Sequence, residues 1–239
     1  MGLKILLNGA RGRMGRAIAA AAPSMEVAIA AALDQGDDPA SQLAACDVAV
    51  DFSLQAATLP LVKAAAAASK PVVIGTTGHT EADRAAILAY TSSIPIVWAG
   101  NYAVGVNVLF WLTRLVAEKL DDAFEPEVVE MHHRHKQDAP SGTAERLVEQ
   151  LLSGRGWPRE AVRHGREGQT GARPAREIGV HALRGGSVVG EHQVIFAGPG
   201  ERLELRHQSE NREIFAQGAL RAAQWVLAQP PGLYRMEDV

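Results

Sequence analysis

The sequence predicts an α/β fold, a doubly wound parallel sheet joined to a second region of α+β character. Two observations predict the sheet. In the first half of the chain, short apolar runs alternate with alanine-rich stretches of helix-forming composition, the signature of repeated βα units. Each apolar run also stops at or beside Gly, Asp, Ser or Asn, the residues that turn a chain. A third observation marks the second region, because this alternation ends after Tyr102.

Taken in order, residues 4–8, 27–33, 48–51, 72–74 and 94–98 read as strands, each a short, mostly apolar run. Between them, residues 14–22, 58–68 and 81–92 have helical length and composition. Ligands of such sheets bind outside the carboxyl ends of the strands, which places Gly9, Asp34, Asp51, Gly75 and Ala99 along one edge. Beyond Tyr102, residues 105–120 form an apolar helix candidate, and residues 127–132 alternate as a strand. Residues 141–152 follow as a helix entered through Pro140, and residues 154–176, rich in Gly and Arg, read as a long loop. Residues 178–183, 187–196 and 202–209 are expected to be antiparallel strands joined by Gly-containing turns. A last helix spans residues 212–227 and stops before Pro230-Pro231.

Composition narrows the function classes. The 239 residues are 47% hydrophobic and 21% charged, enough apolar material for one large domain or two small ones. A net charge of −3 supplies no general field for nucleic acid or an anionic membrane. Cys46, the single cysteine, has no disulfide partner and no cysteines with which to bind zinc, pointing to a reducing compartment. Apolar runs fall far short of the roughly 20 residues that cross a bilayer, and Met1-Gly2-Leu3-Lys4 has no cleavable signal, so a soluble, cytoplasmic protein is expected. One imbalance stands out: lysines are few, and of 8 histidines, His132, His133 and His135 fall together.

Three groups of residues carry chemistry. Gly9-Ala10-Arg11-Gly12-Arg13-Met14-Gly15 follows a strand and opens a helix, where glycines permit a tight turn, a close approach of backbone to pyrophosphate, and helix–strand contact. Asp34, about 20 residues on, stands where an acidic side chain accepts hydrogen bonds from an adenosine ribose. A carboxylate there disfavours a 2′-phosphate and Gln35 follows it, which favours NADH, while Arg11 and Arg13 leave NADPH open. Gly75-Thr76-Thr77-Gly78 and Ala99-Gly100-Asn101-Tyr102 offer amides, carbonyls and short polar side chains to the same ligand; either one alone would be plain turn chemistry.

The third group is His132-His133-Arg134-His135-Lys136, followed by Asp138-Ala139-Pro140-Ser141-Gly142-Thr143. Imidazole and ammonium groups attract carboxylates and move protons near neutral pH, and Ser141, Gly142 and Thr143 head a helix whose amides form an anion site. Two adjacent anion sites suggest a dicarboxylate. His133-x-His135 could bind zinc but lacks clear further ligands, so no metal is expected.

Residues 9–15, 75–78 and 99–102, and above all the run from Glu130-Met131-His132 through Lys136-Gln137-Asp138 to Ser141-Gly142-Thr143-Ala144, resemble the 4-hydroxy-tetrahydrodipicolinate (dihydrodipicolinate) reductase family. The resemblance extends over nearly the whole chain, through Arg166-Glu167-Gly168, Gly190-Glu191-His192 and Gly232-Leu233-Tyr234. It implies a Rossmann-like nucleotide domain of residues 1–103 and 213–239, with residues 104–212 inserted as a substrate-binding and oligomerisation domain. It implies hydride transfer from NADH or NADPH to C4 of a cyclic dicarboxylate with loss of water, a step of lysine and diaminopimelate biosynthesis. By motif, His132 matches the family's proton donor/acceptor and Lys136 its proton donor. His133, Ser141, Gly142 and Thr143 match the substrate-carboxylate site, and Gly9 to Met14, Asp34, Gly75 to Thr77 and Ala99 to Tyr102 match the cofactor site. A homotetramer joined through the second domain is implied too, and closure of the domains is expected to bring C4 to hydride distance and exclude water. The segment from Asp34 to Asp47 is shorter than in many members, and Gln35 replaces an arginine found in some. Two other readings are an aspartate or homoserine dehydrogenase, disfavoured by the His-rich run, and a non-catalytic nucleotide-binding regulator.

Overall fold

The computed structural model describes residues 2–239. In chain order its elements are β1 (Leu3–Asn8), α1 (Arg13–Ala21), β2 (Val27–Leu33), β3 (Val48–Asp51), α2 (Gln55–Ala67), β4 (Val72–Ile74), α3 (Glu81–Leu88), β5 (Pro95–Trp98), α4 (Val104–Lys119), β6 (Glu125–His132), α5 (Gly142–Arg155), β7 (Val162–His164), β8 (Ile178–Arg184), β9 (Gly190–Gly198), β10 (Glu201–Ser209), α6 (Glu213–Val226) and β11 (Gly232–Tyr234). The chain divides into two units, one running to Val104 and resuming at Arg212–Val239, the other Gly105–Asn211.

The first unit is built on a six-stranded sheet in the order β11-β5-β4-β3-β1-β2, and every neighbouring pair is parallel. Strand side chains alternate between faces, and both faces are covered. Ile5, Leu7, Val50, Val73 and Val97 pack against Ile18 of α1 and Ala219, Leu220 and Ala223 of α6, whereas Leu6, Ala49, Val72 and Ile96 pack with Leu61 of α2 and Ile87 of α3. That two-sided burial is why these strands read as continuous apolar runs, each fully buried Val, Leu or Ile contributing about 1.5–3 kcal/mol. β11 was not expected. It is a three-residue edge strand, Gly-Leu-Tyr, that follows the two prolines and pairs with β5.

The second unit has a five-stranded sheet in the order β10-β9-β6-β8-β7. Two expectations are corrected here. β8 is not an antiparallel neighbour of β9: β6 lies between them, antiparallel to β9 and parallel to β8. A glycine turn signals a reversal of the chain but does not say which strand fills the gap. The stretch expected to be a loop contains β7, which pairs with β8, and its remaining residues are tied down by ion pairs from Arg166 and Arg173 to Glu127 on β6. β9 and β10 do form an antiparallel pair. In β6 the buried phase is Pro126, Val128, Glu130 and His132, and α5 supplies the buried Leu147, Val148 and Leu151. Among the described residues no helix is long and apolar enough to cross a membrane, and no group of three or more His, Cys, Asp or Glu is placed to hold a metal ion.

Candidate active site

In the first unit the chain leaves β1 through Gly9, whose φ of +86° and would-be Cβ, 2.4 Å from the Phe52 carbonyl oxygen, admit only glycine. Gly15 is needed for a different reason, since a Cβ there would stand 2.2 Å from the Gly9 carbonyl oxygen. The amides of Gly9 and Ala10 donate to the Leu33 carbonyl at 2.8 and 3.0 Å, and that of Gly12 to Gly9 at 3.0 Å. Arg11 N donates to both carboxylate oxygens of Asp34 at 3.2 Å, and the Arg11 guanidinium lies 3.4 Å from the same carboxylate. Arg13 and Met14 stand at the head of α1, where amides have no carbonyl of a preceding turn to bond. Gly12 caps that helix without any side-chain hydrogen bond, and its first turn has no acidic residue. An uncapped helix start beside a glycine turn, with a half-buried carboxylate at the end of the next strand, fits a dinucleotide.

The other two edge segments contribute unequally. The Thr76 hydroxyl is buried, donating to Asp51 at 2.9 Å and accepting from Ser53 N at 3.0 Å, and Gly75 N donates to the Asp51 carbonyl at 2.8 Å. Thr77 and Gly100 are exposed, Ala99 N donates to the Ile74 carbonyl at 3.2 Å, and Asn101 accepts from Ala103 N at 2.9 Å. The side chain of Tyr102 is not brought to the edge. Only 1% exposed, it packs edge-on against Phe52 and hydrogen-bonds the Ile74 carbonyl at 2.8 Å, and burial raises its hydroxyl pKa well above the usual value. Beneath the edge lies a hydrogen-bonded group around Asp51, a residue the strand pattern places at that edge but to which no motif gives a role. The fully buried Asp51 carboxylate accepts from Asn8 at 2.9 Å, Thr58 at 2.7 Å and Thr76 at 2.9 Å, and from the Ser53 hydroxyl; His79 Nε2 lies 2.9 Å from the Thr58 hydroxyl. An acidic residue closing an all-apolar strand, with hydroxyls close by in sequence, was the available signal.

In the second unit His132 ends β6 on its buried face, 9% exposed, with Nδ1 2.6 Å from the Glu130 carboxylate. Burial pushes the imidazole pKa down and Glu130 only partly opposes it, so the ring is held below its ordinary range. Burial alone would raise the Glu130 carboxyl, but hydrogen bonds from Arg184 and His132 outweigh it and hold the group lower than usual. The His192 ring meets that of His132 edge-on at 5.1 Å, and burial beside His132 pushes its pKa down to about 3. Ser141 accepts from Ala144 N at 3.2 Å as the cap of α5, and its hydroxyl lies 3.0 Å from His192 Nε2. The Ser141 amide donates to Glu130 at 3.1 Å, so Ser141 is a buried support of the helix start. Gly142 and Thr143 are the first two residues of α5, outside the helix's own ladder of amide bonds. The Lys136 ammonium is paired with Asp138 at 2.8 Å. His133 is half-buried, its ring centre 6.3 Å from that of His135. Glu130, Arg184 and His192 received no role from the sequence, although the strict alternation of β6 assigns Glu130 to the same face as Val128 and His132.

A doubly wound sheet, an uncapped helix start behind a glycine turn and a strand-end carboxylate define a dinucleotide-binding unit of the kind that NAD(P)H-dependent oxidoreductases share. Family models for the N-terminus and C-terminus of dihydrodipicolinate reductase match residues 3–102 and 105–239, and the chain belongs to that family. It is 54% identical to the 4-hydroxy-tetrahydrodipicolinate reductase of Akkermansia muciniphila over 241 residues, covering 99% of this chain and 97% of that one. With the enzyme of the same name from Thiobacillus denitrificans it shares 43% over 263 residues, covering 100% and 98%. The dipicolinate-bound dihydrodipicolinate reductase of Paenisporosarcina sp. TG-14 superposes with a TM-score of 0.80 at 25% identity, covering 100% of both chains.

Proposed function

We propose how this chain's residues divide the work of its family's reaction, the NAD(P)H-dependent reduction of 4-hydroxy-tetrahydrodipicolinate to tetrahydrodipicolinate with loss of water. When bound, the dinucleotide supplies the hydride that substrate C4 receives. The amides of Arg13 and Met14 hold its pyrophosphate, Asp34 its ribose hydroxyls, and the segments 75–77 and 99–101 border its nicotinamide. Asp34, with Gln35 beside it, favours NADH, since a carboxylate repels a 2′-phosphate. Gly142 and Thr143 at the head of α5, with His133, hold the substrate carboxylates.

Lys136 gives its proton to the C4 hydroxyl, which leaves as water. The C5 hydrogens lie next to the ring imine and are acidic, so His132, entering neutral, takes a proton from C5 as the hydroxyl leaves and returns it there once C4 is reduced. One proton is consumed overall. The observation behind this division is that a proton-handling imidazole, lowered in pKa by burial, is held beside a helix start able to bind a carboxylate. The protein works in the cytoplasm as a homotetramer assembled through the sheet of the second unit, a reading supported by the lone buried Cys46 and by β10, which is exposed along most of its length.

The test is NADH or NADPH oxidation with substrate generated from pyruvate and aspartate semialdehyde by the preceding synthase. Turnover in wild type that is lost in both His132→Gln and Lys136→Met supports the assignment. Cofactor binding without turnover in wild type would favour a regulator.

A further inference from the structure

Beside His132 lies a fully buried carboxylate that none of these steps uses. Glu130 is 0% exposed, and four donors reach it. His132 Nδ1 lies 2.6 Å and Arg184 Nη1 2.9 Å from Oε2, while the Ser141 amide at 3.1 Å and Arg184 Nη2 at 2.8 Å reach Oε1. A carboxylate has about four acceptor positions, and all are engaged. We propose that Glu130 is the positioning residue of the active site, fixing His132 as the Nδ1–H tautomer, so that Nε2 handles the proton, and tying that ring to the carboxylate-binding start of α5.

This rests on the reading of His132 as the acid–base group. A carboxylate gripped by a guanidinium fork is ionised and can only accept, so the ring nitrogen facing it must carry the hydrogen. The opposite nitrogen is then the reactive one, and it borders Gly190 on β9, where even a Cβ would come within 3.0 Å. Arg184 extends the arrangement. Its Nη2 also donates to the Asp138 carbonyl at 2.6 Å, and the Asp138 side chain holds the Lys136 ammonium. One ion pair thus connects both proton-handling residues to the helix start. A buried ion pair adds little stability over apolar side chains of equal volume, so stability alone does not explain four well-formed hydrogen bonds at this place.

The charged and titratable groups facing His132 are Glu130 on its own strand, Lys136 from the following turn, Arg184 on β8 and His192 on β9, with His207 behind His192 on β10. Only Glu130 is anionic among them, so removing its charge lowers the pH at which His132 protonates.

Nitrogen-15 spectra of the histidine rings of the whole protein, above neutral pH, read the tautomer directly. Wild type is expected to show His132 protonated at Nδ1 and bare at Nε2. Glu130→Gln is expected to mix the two tautomers, cut kcat roughly 10²-fold with unchanged NADH binding, and move the His132 limb of the pH–rate profile to lower pH. Glu130→Asp, which keeps the charge, should restore part of kcat. A wild-type ring protonated at Nε2 overturns the proposal without any variant having to fold. So does a folded Glu130→Gln protein with wild-type kcat and an unmoved limb, provided His132→Gln is inactive. Wild-type turnover in His132→Gln instead identifies the acid–base assignment as the failure.

Discussion

Ser141 and His192, 51 positions apart in sequence, meet side chain to side chain at 3.0 Å, and the hydroxyl that His192 touches is the one capping α5. The cap of the helix start is thus packed against a buried histidine. With the His192 pKa lowered to about 3 by burial, the unfolded chain binds the extra proton more readily. The stabilising effect is complete above the unfolded value of about 6.5 and is lost as pH falls toward about 3, with a slope of up to about 1.4 kcal/mol per pH unit. Thermal melts between neutral and acidic pH should show this decline in Tm, and His192→Met should flatten it.

Gly190 guards the space beside His132 Nε2. Gly190→Ala would place a methyl 3.0 Å from that nitrogen, and the ring is anchored to Glu130 at its other side and has little room to retreat. We expect kcat to fall roughly tenfold through misplacement of the proton-handling atom. NADH affinity, measured by fluorescence titration, should stay at the wild-type level.

Lys136→Met removes the ammonium while keeping much of the apolar stem. Turnover should drop by about 10²-fold or more, the usual scale for loss of a positioned acid, with NADH binding nearly intact. Equal losses of turnover and NADH affinity would contradict the separation of roles between the two units. Because Asp138 loses its partner, its carboxyl, now held low chiefly by the Lys136 hydrogen bond, should titrate at a higher pH in the variant.

Asp34 carries two tasks, since it also anchors Arg11 N. Asp34→Ala should weaken NADH binding more than NADPH binding, so the ratio of kcat/KM values shifts toward NADPH. A ratio that moves the other way would remove Asp34 as the source of the NADH preference.

Much of the first unit was legible because burial on both sheet faces leaves strands such as Leu3–Asn8 and Val48–Asp51 as continuous apolar runs that no surface segment imitates. β11 was not legible: three residues behind two prolines have too little pattern to display, and it is pairing with β5 that makes them a strand. The neighbours of β8 were hidden for a related reason: its direction relative to β9 was as expected, but the insertion of β6 between them is set by contacts distant in sequence. Among site residues, the glycine turn and the His-rich run announce themselves by spacing. Tyr102 looked like part of a ligand edge and proved to be core, since a motif specifies a backbone path and leaves open where each side chain points. Glu130 was the opposite case. It sits two residues before His132, and only the alternation of β6 reveals that it is buried.

The return of the chain to the first unit has a consequence for synthesis. α6 supplies Ala216, Ala219, Leu220, Ala222, Ala223 and Val226 to one face of a sheet whose first strand starts at Leu3. On the ribosome those strands emerge long before the helix that covers them. Until residue 226 has left the exit tunnel, the part of that face which α6 covers and α1 does not stays open to water, and to any chaperone that binds it.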